Sequence, residues 1–264
     1  MHIPLFHVNA FTSAPFSGNP AAVCLLNSWL DDGLLLKVAA ENALPATAFL
    51  VPSGDGFAIR WFTAQCEVKL CGHATLASGY VLLRLLRPEL QKVSFQTRCR
   101  GVVSVGKDRD LLEMDFPRLE TTNLASAPGE LPRALGITVS PIELLQGNDS
   151  LIAVFEDESV IRKVHPDFEL LRRMHPNVVM VTAPGVDSDF VSRYFAPSYG
   201  VPEDPVTGSA HCALAPYWAK RMGKTQLHAK QLSERGGELW CDVAGDRVLM
   251  KGNAVLMLEG KLSF

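Results

Sequence analysis

Two stretches of this chain are too apolar, and too rich in small side chains, to lie on a surface. Gly72–Leu86 reads "GHATLASGYVLLRLL" and Gly208–Met222 reads "GSAHCALAPYWAKRM". Leu76, Tyr80, Leu83 and Leu86 fall on one helical stripe, Pro88 stops the first stretch and Gly223 the second. Ala74, Ala77, Ser78 and Gly79 give the first helix no polar face, so other elements must wrap it.

The rest of the chain supplies short strands for that purpose. "IPLFHVNAF", "AAVCLL", "TAFLVP" and "FAIRWFT" read as strands, "SAPFSGNP" as a loop and "SGDG" as a turn. Asp31–Ala43 reads as a helix ended by Pro45. "KVSFQT", "GVVSVG" and "LLEMDFP" follow as strands, and "PRLETTNLASAPGELP" reads as a linker between halves. The second half repeats the mixture. "LLQGNDSLIAVF" holds a strand, "HPDFELLRRMHP" a helix, "NVVMVTAPG" a buried strand, and residues 237–264 strands joined by tight turns. A shift of 136 positions sets Glu67 on Glu203, Gly72 on Gly208, Ala74 on Ala210, Ala77 on Ala213 and Gly101 on Gly237. The expectation is an α/β (α+β) chain of two similar lobes, each with one inner helix. The first lobe covers residues 1–117, with its helix at about 72–86 and a last strand, about 253–264, able to return to it. The second covers 118–252, with its helix at about 208–222.

Composition excludes several roles. A net charge of −3 lacks the basic surplus that nucleic-acid binding needs. No apolar run reaches the ~18 residues that span a bilayer. The segment "MHIPLFHVNAF" lacks a signal-peptide pattern, and the six cysteines form no C-x-x-C pair, so a cytoplasmic protein with free thiols is expected. Cys66, Cys71 and His73 lack a matching second pair of ligands, so no metal is expected.

The stretch "EDPVTGSAHCALAPYW", Glu203–Trp218, joins an acid, a proline, hydroxyls and a helix start. The first turn of a helix exposes unpaired N–H groups and about half a positive charge. Two such starts facing one cleft suit a carboxylate or another oxyanion, with Gly72 and Gly208 letting the backbone approach it. Asp204, His73 and Ser209 are the proton-handling candidates beside it. Plain alternatives stand next to these. Asp204 also fits a dipole-capping acid, Ser209 a first-turn backbone bonder and His73 a structural histidine. His211 and Cys212 read as packing residues.

"AFTSAPFSGNPAAVCLL", "RWFTAQCEVKLCGHATLASGYVL", "GVPEDPVTGSAHCALAPYWAKRMGK" and "RGGELWCDVAGDRVLMKGNAVLMLEG" resemble the phenazine-biosynthesis PhzF-like proteins. "CGHATLA" and "EDPVTGSAH" are the specific parts of the match. The resemblance implies the diaminopimelate-epimerase-like fold, with two pseudo-symmetric lobes, each a barrel-like sheet around a central helix. It also implies cofactor-independent isomerisation by proton transfer, in homodimers. By position, Asp204, His73 and Ser209 match the family's catalytic residues. Gly72, Gly208, Ala210, Thr207, Asn19 and Pro20 match its substrate-binding surroundings.

Two departures bear on function. The family pattern "NLSETAF" stands here as "ALPATAFL", so Ala46 replaces the family's glutamate, and Glu41 lies on the preceding helix. The thiol pair of related racemases is also incomplete, because Cys71 is matched by Thr207. The first expectation is an isomerase or epimerase acting on a small carboxylate-bearing molecule held between the lobes, without cofactor. A non-catalytic small-anion-binding or regulatory protein on the same fold is the alternative, motivated by Ala46. A one-base dehydratase using Cys71 is a further reading, beside a purely structural role for that thiol.

Overall fold

The computed structural model describes residues 2–147 and 149–264. The chain divides into two compact units, the residues up to Asp115 with Met250–Phe264, and Phe116–Leu249.

In the first unit, strand His2–Ala10 lies between Asn19–Leu25 and the returning strand Ala254–Ser263, antiparallel to both. Helix Asp32–Asn42 then carries the chain across to Ala46–Ser53, which runs parallel to Asn19–Leu25. That helix starts where expected. Asp31 caps it by accepting from the Gly33 N–H at 2.9 Å, a bond that stabilises a helix end by about 1 kcal/mol. Ala46–Ser53 pairs antiparallel with Gly56–Phe62, which pairs antiparallel with Glu67–Val68 and parallel with Lys92–Gln96. Lys92–Gln96 pairs antiparallel with Val102–Asp108.

Helix Gly72–Tyr80 packs against His2–Ala10, Asn19–Leu25, Ala46–Ser53, Val102–Asp108 and Ala254–Ser263. Strands from both ends of the pairing order touch one helix, so the sheet curls around it. All seven residues from His73 to Gly79 are buried. The helix widens at Val81–Leu86 into a π-helical turn, where the Arg87 N–H donates to the Leu82 carbonyl at 2.7 Å. The expected stripe therefore does not hold to its end. Leu83 is buried, but the wider turn swings Leu86 off that face and leaves it 45% exposed.

The second unit repeats this wiring. Glu143–Gln146 pairs antiparallel with Ser150–Val154, which runs parallel to Val178–Pro184. Val178–Pro184 pairs antiparallel with Phe190–Ala196, which pairs antiparallel with Val201–Glu203 and parallel with Gln226–Gln231. Gln226–Gln231 pairs antiparallel with Gly237–Ala244. The order of parallel and antiparallel neighbours matches that of the first unit strand for strand. The inner helix, Gly208–Met222, packs on Gln226–Gln231 and Gly237–Ala244. Its other side reaches Val178–Pro184 and Phe190–Ala196. Trp218 Nε1 donates to the Thr182 hydroxyl at 3.0 Å, and the indole stacks on Phe190. Burying a ring of that size stabilises by roughly 2–3 kcal/mol. The fold is thus mixed α/β with two pseudo-symmetric lobes, each a sheet wrapped on one helix.

Two segments hold more structure than their composition suggests. The linker-like stretch contains strand Thr122–Asn123 and helix Leu131–Leu135. The segment "LLQGNDSLIAVF" carries a hairpin of two strands rather than one. Short helices Glu158–Arg162 and Phe168–Arg173 join Leu131–Leu135 around a core of Leu151, Phe155, Val181 and Phe195. Among the described residues no helix is long and apolar enough to cross a membrane, and no group of three or more acids, histidines or cysteines could hold a metal.

Candidate active site

The second unit builds its helix start from the strand before it. Glu203 closes Val201–Glu203 opposite Phe195, and Arg193 on the same neighbouring strand grips its carboxylate with Nε to Oε1 at 2.8 Å and Nη2 to Oε2 at 2.9 Å. The next residue, Asp204, donates its N–H to the Tyr194 carbonyl at 3.0 Å. Pro205 holds Asp204 extended.

Beyond the proline, Thr207 takes the N-cap position in extended conformation and makes no side-chain capping bond. Its hydroxyl turns back instead, to an Asp204 carboxylate oxygen at 2.5 Å. Gln231, 1% exposed, closes the turn from the end of its strand. It accepts the Thr207 N–H at 2.9 Å and donates to the Asp204 carbonyl at 2.6 Å. In the first turn Gly208 and Ala210 are buried, while Ser209 is exposed and its hydroxyl takes no partner among the described residues. A turn later His211 is fully buried beside Phe190, with Nδ1 2.8 Å from the Thr207 carbonyl. Burial pushes its pKa down to about 4, so the ring is neutral at physiological pH.

The first unit has the equivalent arrangement. Arg60 grips Glu67 with Nε to Oε1 at 2.8 Å and Nη2 to Oε2 at 2.7 Å, and its Nη1 reaches Asp32 at 2.8 Å. Each arginine also lies over the phenylalanine two residues on, Arg60 over Phe62 at 5.0 Å and Arg193 over Phe195 at 5.1 Å. Helix Gly72–Tyr80 begins at Cys71, again extended and again without a side-chain capping bond. The Cys71 sulfur sits 3.5 Å from His73 Nδ1 and 3.8 Å from Nε2. Near-equal distances mean it lies along neither N–H direction, so the pair is a contact and not an aligned relay. His73 is 9% exposed, and burial pushes its pKa down to about 4. Gly72 is half-buried.

The arginine clamps were missed by the fixed shift. Arg60 plus that shift lands on Ala196, because the second unit inserts three residues between its Arg-x-Phe and its glutamate. The insertion forms the turn Pro197–Tyr199, closed by Gly200 at φ 78°. The signal was present in "RWF" and "RYF", the tripeptides at Arg60 and Arg193. The glycine match also moves by one. Gly101 at φ 69° corresponds in conformation to Gly236 at φ 62°, not to Gly237, which already sits in a strand.

The profile of phenazine biosynthesis-like proteins, PhzC-PhzF, matches residues 8–260. The chain belongs to this phenazine biosynthesis-like family. An uncharacterized isomerase of Pseudomonas aeruginosa is 46% identical over 262 residues, covering 99% of each chain. The crystal structure of a PhzF-family phenazine biosynthesis protein from Enterococcus faecalis superposes with a TM-score of 0.95 at 40% identity, covering 100% of both chains. A hydroxyproline epimerase from Agrobacterium vitis shares the fold alone, with a TM-score of 0.63 at 10% identity over 99% of this chain and 92% of that one. Family and fold together point to an isomerase- or epimerase-like protein.

Ala46 is 1% exposed and opens its strand opposite Ala21. Asn19 and Pro20 start the adjacent parallel strand, Asn19 fully buried, and both strands pack on the Gly72–Tyr80 helix. The first unit thus gathers Asn19, Pro20 and Ala46 on strands lining one helix. Glu41 is exposed on helix Asp32–Asn42.

Proposed function

We propose that this protein is a cofactor-independent isomerase that moves a proton on a small carboxylate-bearing metabolite, with Asp204 as the proton-transferring group. The observation that carries this reading is the placement of Asp204. Its carboxylate is held by the Thr207 hydroxyl directly before a helix whose N-cap residue spends no side chain on the first-turn N–H groups. A helix start of that kind favours an anion, and the exposed Ser209 hydroxyl adds a donor in the same turn. The start at Gly72 has the same form. In this reading Gly208 and Ala210 shape the surroundings of the substrate beside Asp204, and the corresponding candidates of the first unit are Gly72, Asn19 and His73, the last a neutral imidazole able to hydrogen-bond. Alanine at position 46 cannot titrate, so a single base removes the proton and returns it on the same face. That chemistry suits a proton shift within one molecule better than inversion, which needs a second group opposite the first. The reading includes a homodimer, carried by the family resemblance.

The test is deuterium incorporation by NMR in D2O over a panel of small amino and hydroxy acids and unsaturated carboxylates. Asp204→Asn is expected to lower exchange by ~10²–10⁴. Exchange no faster than that variant's background, for every compound, sinks the proposal.

Ala46 supports a second reading, a binding or regulatory protein that keeps the anion site without turnover. Ligand-dependent melting shifts without exchange favour it, and turnover by the unaltered protein eliminates it. Exchange that appears only in Ala46→Glu assigns the silence to the missing carboxylate.

A further inference from the structure

Gln231 has no role in the chemistry above, yet its amide can be oriented in only one way. The Thr207 N–H donates to its side-chain oxygen at 2.9 Å, so its nitrogen must face the other side. There the nitrogen meets two acceptors, the Asp204 carbonyl at 2.6 Å and the Thr207 hydroxyl oxygen at 3.3 Å. A hydroxyl that accepts from an amide must point its own hydrogen elsewhere. The Thr207 hydroxyl lies 2.5 Å from the Asp204 carboxylate, within the O–H···O⁻ range for an ionised acceptor, and has its own hydrogen to give in that direction. Gln231 is 1% exposed and Thr207 7%, so water does not compete strongly for these bonds.

We infer that Gln231 and Thr207 form a one-way hydrogen-bond relay that holds Asp204 as an aimed carboxylate, a base rather than an acid, and that Gln231 is a positioning residue. The inference rests on the proposed proton transfer for its meaning, but not for its test. It reassigns Thr207 from the substrate to Asp204. Three neighbouring ionisable groups leave the assignment in place. Tyr194, on the strand behind, is held above its usual range first by burial and then by the Asp204 charge, so it stays a neutral phenol. Glu203 is neutralised by Arg193, and His211 on the helix is neutral.

The experiment is a carbon-13 NMR titration of the Asp204 carboxyl, assigned by its loss in Asp204→Asn, and it needs no substrate. Thr207→Val is expected to raise the titration midpoint by about one pH unit, the size of one charge-assisted bond. Thr207→Ser, which keeps the hydroxyl, is expected to restore it. Gln231→Met, which removes the orienting amide, is expected to raise it in the same direction and supplies a second readout should Thr207→Val fail to fold. An unchanged midpoint in Thr207→Val, or in Gln231→Met, overturns the relay. A shifted midpoint in a protein that exchanges no tested acid leaves the relay standing and removes the isomerase reading.

Discussion

Arg193 meets Glu203 through two parallel N–H···O bonds, and the two side chains are 11% and 17% exposed. The pair fixes the residue immediately before Asp204, as Arg60 and Glu67 fix the strand before Cys71. Removing the arginine strands a half-buried carboxylate. Arg193→Met is expected to cost about 3 kcal/mol in urea denaturation, most of it regained in Arg193→Met/Glu203→Leu. A double variant no more stable than the single would mean that the arginine acts through its other contacts, the carbonyls of Ile161 and Val164.

Gly79 faces Val105 so closely that an added Cβ would lie 2.4 Å from Val105 Cγ1. Gly79→Ala gains about 1 kcal/mol of helix propensity but forces helix and strand apart. The net expectation is a loss of about 1–3 kcal/mol. In a Val105→Ala background the same change should be neutral or favourable, because the obstructing methyl groups are gone. Equal effects in both backgrounds would contradict the contact.

Acid should weaken the fold earlier than carboxylate protonation alone would. His73 and His211 are each pushed down to about 4 by burial, against about 6.5 in the unfolded chain. Between those values the unfolded chain binds the extra proton, so stability is full above pH 6.5 and falls as the pH drops toward 4. By pH 5 each histidine should cost about 2 kcal/mol relative to neutrality. Urea midpoints at pH 7 and pH 5 read this directly, and His73→Gln or His211→Gln should flatten the slope whatever it does to stability at pH 7. A slope indifferent to both changes would exclude the histidines as its source.

The thiols should separate by burial. Cys66 and Cys99 are exposed and Cys71 is intermediate, whereas Cys24, Cys212 and Cys241 are buried. Burial holds Cys24 and Cys212 at about 12, which at pH 8 lowers their thiolate fraction by roughly 10³ against a free thiol. Mass spectrometry after brief alkylation should find Cys66 and Cys99 modified first and Cys71 more slowly. The buried three should react only in denaturant.

The inner helices, the strands around them and the helix-start motifs were legible because each is written locally: small residues without a polar face, alternating apolar runs, Gly after an acid. Asp204, Ser209 and His73 were legible as candidates for the same reason. What escaped was carried by distant partners. The role of Gln231 is invisible until its strand lies beside residues 204–207, since a lone glutamine at a strand end carries no motif. The Arg60 and Arg193 clamps were hidden by an insertion that broke the register of the internal repeat. Leu86 was misplaced because α-helical spacing was assumed through a segment that winds wider.

The strand Ala254–Ser263 completes the unit that His2–Ala10 begins. On a ribosome, His2–Ala10 must wait until all of Phe116–Leu249 has been synthesised before its second edge is covered, whereas the residues of Phe116–Leu249 emerge as one uninterrupted run. The half made first is therefore the half finished last, and a nascent chain stalled short of Ala254 would carry a bare strand edge open to chaperones or to neighbouring nascent chains.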